Sequence, residues 1–304
     1  MSALPVIPAS RPLGQSGLKT SALGWGMWRL VDSGLDAAAV DRLARTVLDA
    51  GITLFDTADI YGFDGSGGFG AAEAVLGEVL AADAGLRDRI VLATKGGIRP
   101  PAPYDQSVKY LNEAIDASLR RLQTDRIDLW QVHRPDILTH PQELARTLDD
   151  AVASGKVRSL GVSNFTCSQI DALQHFLGHK LVATQPEVSV LRTDCVENGE
   201  LDQAMKGGLT VLAWSPLGGG RIAAPENPHE KAVAAALDLV ANAQGISRTV
   251  AALSWLMAHP AGIVPIVGSQ KPERVVEAMA AQSVQWTRQQ WYAVFVAARG
   301  EALP

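Results

Sequence analysis

Cysteine is scarce in this sequence, and long apolar runs are missing from it. Cys167 and Cys195 are the two cysteines in 304 residues, which is typical of a reducing compartment, and we expect both to be free thiols. No segment is long and apolar enough to span a bilayer. The opening MSALPVIPASRPLG has prolines and no apolar run of signal-peptide length. The sequence therefore predicts a cytoplasmic protein without a membrane partner.

Clusters of positive charge are also missing. The formal net charge is -5, and no run of Lys or Arg forms a basic stripe, so nucleic acid is not a predicted partner. The six histidines are scattered without the spacing of metal ligands, His133 and His140 included, so we predict no metal site. What the chain does contain is 47% hydrophobic residues, which is ample for a sizeable core.

One motif resembles a dinucleotide fingerprint but lacks its context. Residues 65–70, GSGGFG, spell G-x-G-x-x-G and precede a helical pattern. In that fingerprint the first glycine turns directly off a strand, so that the helix N-terminus meets the pyrophosphate. Here the strand ITLFD ends near Asp56, and TADIYGFD separates it from Gly65. We interpret residues 65–70 as an exposed loop, so a dinucleotide would bind elsewhere.

Short apolar runs alternate with helical patterns along the whole chain. The predicted strands are SALGWG, ITLFDT, IVLATKG, IDLWQVH, VRSLGVS, LVATQPE, LTVLAWS and IVPIVGS, and helical patterns lie between them, among them DAAAVDRLARTVLDAG, SVKYLNEAIDASLRRL, HPQELARTLDDAVASG and PERVVEAMAA. TCSQ, from Thr166 to Gln169, spells a capping box at a helix start. Eight such units without a linker predict an α/β fold, a (β/α)8 TIM barrel forming one domain over residues 1–304. An open, doubly wound sheet is the alternative.

Polar residues follow nearly every predicted strand. In a barrel they would share the end at which the strands finish, which we call the mouth, and where such barrels build their active sites. These residues are Asp56, Lys95, His133, Ser163, Asn164, Gln185, Ser215 and Ser269.

Asp56, Tyr61, Lys95 and His133 could together protonate an oxygen. Lys95 would favour the phenolate and lower the pKa of Tyr61, Asp56 would keep Lys95 charged, and His133 could orient a substrate oxygen. A carbonyl that receives hydride at carbon needs such a proton. Each residue also has a structural alternative. Asp56 could cap a helix or turn, and Tyr61 could be a loop aromatic. Lys95 could be a solvated strand end, and His133 a hydrogen-bonded structural residue. Lys95 could also form a Schiff base in a lyase of the aldolase type.

Seven segments in order resemble the aldo-keto reductases along essentially the full chain. They are FDTADIY, ATKGG, QVHRPD, GVSNF, TQPE, AWSPLGGG and IVGSQKPER. The opening RPLGQSGLKTSALGWGMW is similar to the entry segment of that superfamily, where a short N-terminal β-hairpin closes the bottom of the barrel. The resemblance implies an oxidoreductase that reduces an aldehyde or ketone with NADPH.

The resemblance also implies roles for individual residues. Asp56, Tyr61, Lys95 and His133 become the catalytic tetrad, with Tyr61 as proton donor. Ser163, Asn164 and Gln185 would bind the nicotinamide carboxamide, and Trp214 would stack on the ring. The further cofactor-binding positions are Met27, Ser215, Leu217, Gly219 with its neighbouring glycines, Ser269, Gln270 and Arg274. Trp28 and, if it faces the mouth, Trp130 would line an open substrate pocket.

Two departures from the family pattern bear on the cofactor. Gly268 stands where many members have a lysine for the 2′-phosphate of NADPH, and Ala278 stands where an adenine-contacting Asn is common. Arg274 and Lys271 can still meet a 2′-phosphate, so NADPH is predicted and NADH stays possible.

The substrate is the least determined feature of the sequence. A small-molecule aldehyde or ketone is expected. An aldose oxidised at its anomeric carbon is the alternative, as is a non-catalytic nicotinamide-binding redox sensor. We expect a monomer or a small homo-oligomer.

Overall fold

Eight parallel strands close into a barrel. The computed structural model describes residues 3–5 and 7–304. Two strands come before the barrel, β1 (Ser10–Pro12) and β2 (Lys19–Ser21). The barrel strands are β3 (Gly24–Gly26), β4 (Leu54–Asp56), β5 (Val91–Gly96), β6 (Leu129–Val132), β7 (Leu160–Ser163), β8 (Leu181–Gln185), β9 (Thr210–Ala213) and β10 (Val264–Val267). Strands β3 to β10 pair in sequence order, and β10 pairs with both β9 and β3. The predicted (β/α)8 barrel is confirmed, and the open sheet is wrong.

Helices follow the barrel strands and cover the outside. They are α1 (Ala37–Asp49), α2 (Ala71–Ala82), α3 (Ala84–Arg89), α4 (Val108–Leu122), α5 (Pro141–Ala153), α6 (Cys167–Phe176), α7 (Asp194–Glu197), α8 (Glu200–Gly207), α9 (Pro228–Gln244), α10 (Arg248–Met257), α11 (Pro272–Ala278) and α12 (Arg288–Arg299). The predicted capping box starts α6: the Thr166 hydroxyl accepts from the Gln169 amide, and the Gln169 side-chain oxygen accepts from the Thr166 amide. Over the residues that the structure describes, no helix has the length and apolarity to cross a membrane. Both cysteines are free.

Alternation along the strands separates two apolar layers. Leu54, Leu129 and Leu212 belong to a small buried cluster that contains strand and hairpin residues but no helix residue, so it fills the barrel interior. Their chain neighbours Phe55 and Trp130 belong to the large cluster that includes the helices. Successive strand side chains point to opposite faces, so one strand serves both layers. In β5 and β6, the same alternation turns Lys95 and Gln131 inward.

The N-terminal hairpin of β1 and β2 closes the bottom of the barrel, as predicted. Its strands pair antiparallel, and Leu13 in the turn packs into the interior cluster. The Gly14 amide donates to Thr210 Oγ1 at 2.8 Å. A Cβ at Gly14 would lie 2.4 Å from the Val182 carbonyl oxygen, so glycine permits this approach to the strand beginnings.

One predicted strand divides into two elements. Ser21 of SALGWG pairs with Ser10 in the hairpin, while Gly24–Gly26 join the barrel. The break is at Ala22 and Leu23. The hydroxyl of Ser21 donates to the Leu23 carbonyl across this break, and the chain turns from the hairpin into the barrel.

The loop containing residues 65–70 lies between β4 and α2 and is largely exposed. Asp64 organises it by accepting from the amides of Ser66 and Gly67. Strand β4 ends at Asp56, so Gly65 does not turn off a strand. The predicted loop is confirmed.

Candidate active site

A buried ion pair forms the floor of the mouth. Lys95 Nζ lies 2.7 Å from Asp56 Oδ2 and donates to the Thr57 carbonyl at 2.8 Å. Both side chains are almost fully buried. Burial lowers the pKa of Lys95, while Asp56 and Tyr61 raise it, and the pKa ends above its ordinary value. Lys95 is therefore held as a cation inside the barrel.

Tyr61 lies directly above this pair. Lys95 Nζ is 5.0 Å from the centre of the Tyr61 ring, and 9% of Tyr61 is exposed. Burial raises the pKa of Tyr61 and Lys95 lowers it, with a net shift upward. The predicted lowering by Lys95 is present, but burial outweighs it, so the pKa of Tyr61 does not fall below its ordinary value. Tyr61 is held as a neutral O–H donor.

His133 lies beside Tyr61, with ring centres 5.9 Å apart and planes at 75°. Its amide donates to the Gly96 carbonyl, which fixes it to the end of β5. Burial, Lys95 and Arg134 all lower the pKa of His133, well below its ordinary value. A neutral imidazole can donate a hydrogen bond to an oxygen without protonating it. The structure thus brings the four predicted catalytic side chains together.

Three predicted cofactor residues form one hydrogen-bonded group at the ends of β7 and β8. Asn164 Nδ2 donates to Ser163 Oγ at 2.9 Å, and Ser163 donates to the Gln185 carbonyl at 2.8 Å. Gln185 Nε2 donates to Asp56 Oδ1 at 3.0 Å, which links the group to the ion pair. Asn164 adopts φ 60°, a left-handed conformation that asparagine tolerates better than most residues. Trp214 Nε1 donates to Asn164 Oδ1 at 3.0 Å, so the indole is fixed beside this group.

A tight loop follows Trp214. The Gly218 amide donates to the Ser215 carbonyl, the Gly220 amide donates to the Leu217 carbonyl, and residues 218–220 form a single 3₁₀ turn. The three glycines all have positive φ, and a Cβ at Gly219 or Gly220 would meet nothing within 4 Å. The loop therefore leaves open space over the backbone. The loop is also linked to the segment after β3, where Arg29 donates to the Gly219 carbonyl at 3.3 Å.

The segment after β10 carries the remaining predicted cofactor residues. Gln270 Nε2 donates to the Gly26 carbonyl at 2.9 Å, while its Oε1 is buried without a partner. Arg274 lies in the first turn of α11, exposed, and pairs with no carboxylate in the described part of the chain. A Cβ at Gly268 would meet nothing within 4 Å. Met27 is fully buried, and its amide donates to the Asp56 carbonyl.

The two predicted substrate tryptophans lie in different places. Trp28 is 60% exposed at the mouth, with its ring centre 5.1 Å from that of Tyr61. Trp130 is fully buried in the outer layer, next to Gly96, where Ala114 of α4 also packs. The expectation that Trp130 lines the pocket is corrected, because strand alternation turns its neighbours Leu129 and Gln131 inward and Trp130 toward the helices.

Sequence reasoning passed over Arg134, although QVHRPD contains it. Arg134 directly follows His133, is half-buried, and has its guanidinium carbon 6.0 Å from the centre of the Trp214 ring. It also contributes to lowering the pKa of His133. The sequence signal that could have identified Arg134 is its position, because it is a charged residue directly after the predicted catalytic histidine, His133. Across residues 3–5 and 7–304, no group of three or more His, Cys, Asp or Glu side chains is placed to hold a metal ion.

Comparison with known proteins defines the class. The model of the aldo/keto reductase family matches residues 22–295. The chain belongs to this family and is an oxidoreductase that acts on carbonyl or alcohol groups, and members of the family generally bind NAD(P)H. A solved structure of the thermostable aldo-keto reductase Tm1743 in complex with the inhibitor epalrestat has the same fold: the TM-score is 0.79, at 22% identity, over 95% of this chain and 99% of that chain.

Two curated relatives carry a more specific name. The chain is 67% identical over 304 residues, the whole of both proteins, to the 6-dehydroglucose reductase of Novosphingobium aromaticivorans. It is 39% identical to the 6-dehydroglucose reductase of Agrobacterium fabrum, over 93% of this chain and 96% of that protein.

Proposed function

We propose that this protein reduces an aldehyde to an alcohol with NADPH, with Tyr61 as the proton donor. The arrangement of Tyr61 as a neutral donor between the Lys95 ammonium and the neutral His133 carries this proposal. The proposed substrate is 6-dehydroglucose, glucose with an aldehyde at C6, because a relative 67% identical over its whole length bears that name.

The described residues fit a nicotinamide dinucleotide. The open space above the glycine loop would admit a pyrophosphate close to the backbone, and Arg274 offers an unpaired guanidinium for a 2′-phosphate. The buried Oε1 of Gln270 lacks a donor that a bound ligand would supply. Ser163, Asn164 and Gln185 would hold the carboxamide and Trp214 the ring. When bound, the cofactor supplies the hydride.

The protein's own part of the reaction is to place and move one proton. His133 donates a hydrogen bond to the carbonyl oxygen and orients it toward Tyr61. As negative charge develops on that oxygen, the Tyr61 hydroxyl transfers its proton to it. Lys95 then stabilises the phenolate left behind, and Asp56 holds Lys95 charged and in position. Because burial keeps the pKa of Tyr61 high, the proton leaves only when a strong acceptor forms.

The direction of reaction separates the proposal from its nearest alternative. Purified protein with NADPH and 6-dehydroglucose should consume the cofactor and yield glucose, detected by NMR. An aldose dehydrogenase would instead reduce NADP⁺ with glucose and yield the lactone. Tight cofactor binding with no turnover of any aldehyde would favour the redox sensor and contradict the proposal.

Arg274 should determine the preference for NADPH over NADH. We expect Arg274→Ala to weaken NADPH binding about 10- to 100-fold, the usual value of a charge-assisted contact, and to change NADH binding less than about 3-fold. Quenching of tryptophan fluorescence on titration gives both dissociation constants. Arg146→Ala is the matched control, since Arg146 is exposed on α5, outside the mouth. An unchanged ratio of the two affinities in Arg274→Ala would assign the 2′-phosphate to another residue.

A further inference from the structure

Arg134 brings an unmatched positive charge to the mouth. It is half-buried at the end of β6, between His133 and the proline that follows, and its guanidinium carbon lies 6.0 Å from the centre of the Trp214 ring. In the part of the chain that the structure describes, no carboxylate lies within 4 Å of its nitrogens, and they donate no hydrogen bond to the protein. The guanidinium is therefore available to a ligand.

The nearest acid in sequence is occupied by its own loop. Asp136 accepts from the amides of Gln106 and Leu138 and from the Thr139 hydroxyl. The Arg134 carbonyl accepts from the side chain of Gln106, so the backbone that carries the guanidinium is fixed. The loop thus holds Arg134 in place without neutralising it.

The neighbouring charges do not neutralise it either. The Asp56 carboxylate of the mouth is paired with Lys95 and is therefore not available to Arg134. A guanidinium has five N–H donors in a planar fork and no acceptor, so its ligand must present oxygen acceptors. Trp214 adds apolar surface beside it.

We propose that Arg134 is a specificity-determining residue that donates hydrogen bonds to hydroxyl oxygens on carbons near the reacting aldehyde. The site then prefers polyhydroxylated aldehydes over apolar aldehydes of the same length. This inference rests on the proposed reductase function. It adds a residue that selects the substrate without taking part in proton transfer.

The test compares two six-carbon aldehydes: 6-dehydroglucose, which carries hydroxyl groups and a ring closed through C1, and hexanal, which carries neither. For Arg134→Gln we expect kcat/KM for 6-dehydroglucose to fall about 10- to 100-fold, mainly through KM, because hydrogen bonds to a charged donor are lost. For hexanal we expect a change below about 3-fold, since no hydroxyl meets Arg134. Arg134→Lys should recover part of the loss, because an ammonium donates to one hydroxyl but lacks the fork. Arg146→Gln is the matched control and should change neither substrate.

Several results would overturn the inference. Equal losses for both aldehydes would mean that Arg134 acts through His133 or through the fold. No loss for 6-dehydroglucose would remove Arg134 from the pocket. A larger loss for succinic semialdehyde than for 6-dehydroglucose would assign Arg134 to a carboxylate. Failure of the wild-type protein on hexanal and 6-dehydroglucose alike would refute the proposed reductase activity as well, whereas turnover of hexanal without turnover of 6-dehydroglucose would leave a reductase but refute the proposed substrate together with the role of Arg134.

Discussion

Replacing Tyr61 with phenylalanine should lower kcat by about 10²- to 10⁴-fold, the usual contribution of a positioned general acid, while NADPH binding changes less than about 2-fold. The hydroxyl is the atom that gives up the proton, and the buried ring that carries it has its centre 5.0 Å from Lys95 Nζ and 5.9 Å from the centre of the His133 ring. Its loss acts in the transition state, where the carbonyl oxygen gains charge. Steady-state kinetics with 6-dehydroglucose and a fluorescence titration with NADPH measure the two effects.

Tyr292→Phe is the control for this substitution. Tyr292 lies on α12 and is 44% exposed, so the same atom is removed away from the mouth. We expect its kinetics to match those of the wild-type protein. If Tyr61→Phe lowered kcat and cofactor affinity by equal factors, Tyr61 would be a binding residue and the proton would come from another group.

Replacing Asp56 with asparagine should affect folding and catalysis together. Lys95 would lose its buried counter-charge, and breaking one member of a buried pair costs about 3–5 kcal/mol of unfolding free energy. The same change would lower the pKa of Lys95, so the amine would no longer stabilise the Tyr61 phenolate. We expect a large loss of kcat in addition to the loss of stability. Urea unfolding and steady-state kinetics measure both.

A double variant separates the two consequences. With Asp56→Asn and Lys95→Met combined, no uncompensated charge is buried, so most of the lost stability should return while activity stays lost. A surface pair provides the matched control: Lys156 and Asp116 lie 2.6 Å apart with both side chains about 40% exposed, and Asp116→Asn should cost less than about 1 kcal/mol. Equal costs for the buried and the surface substitution would contradict the account of the ion pair.

The barrel could be predicted from the sequence because its signals are local and repeated. Each strand is a short apolar run, and each helix has apolar residues at helical spacing. The polar residue that ends a strand, such as Lys95 or His133, must reach the mouth in any such barrel. The capping box at Thr166 was predicted for the same reason, because it depends on a few adjacent residues, whereas the hairpin was predicted only from the resemblance of the opening segment to the aldo-keto reductases.

The orientation of Trp130 could not be predicted from local pattern. The strand IDLWQVH is apolar on both faces, since one face packs the interior and the other packs the helices, so alternation gives no signal. Only the register of β6 against β5 and β7 decides which residues turn inward. In that register Gln131 faces the interior, where its Nε2 lies 3.5 Å from Asp56 Oδ1.

The pKa of Tyr61 and the unmatched charge of Arg134 depend on tertiary burial. The sequence places Lys95 near Tyr61 but does not reveal how completely the ring is enclosed, and enclosure decides the sign of the shift. Likewise, QVHRPD places Asp136 two residues after Arg134, and this spacing suggests a local ion pair. The structure shows that Asp136 binds its own loop instead.

The transfer of hydride to a carbonyl at this mouth is the central claim, and isotopic labelling tests it most directly. Purified protein would be incubated with NADPH carrying deuterium at the reactive nicotinamide carbon and with 6-dehydroglucose. We predict glucose with a single deuterium on C6, on one face only, identified by NMR. Glucose without deuterium, or no conversion while NADPH stays intact, would contradict the claim.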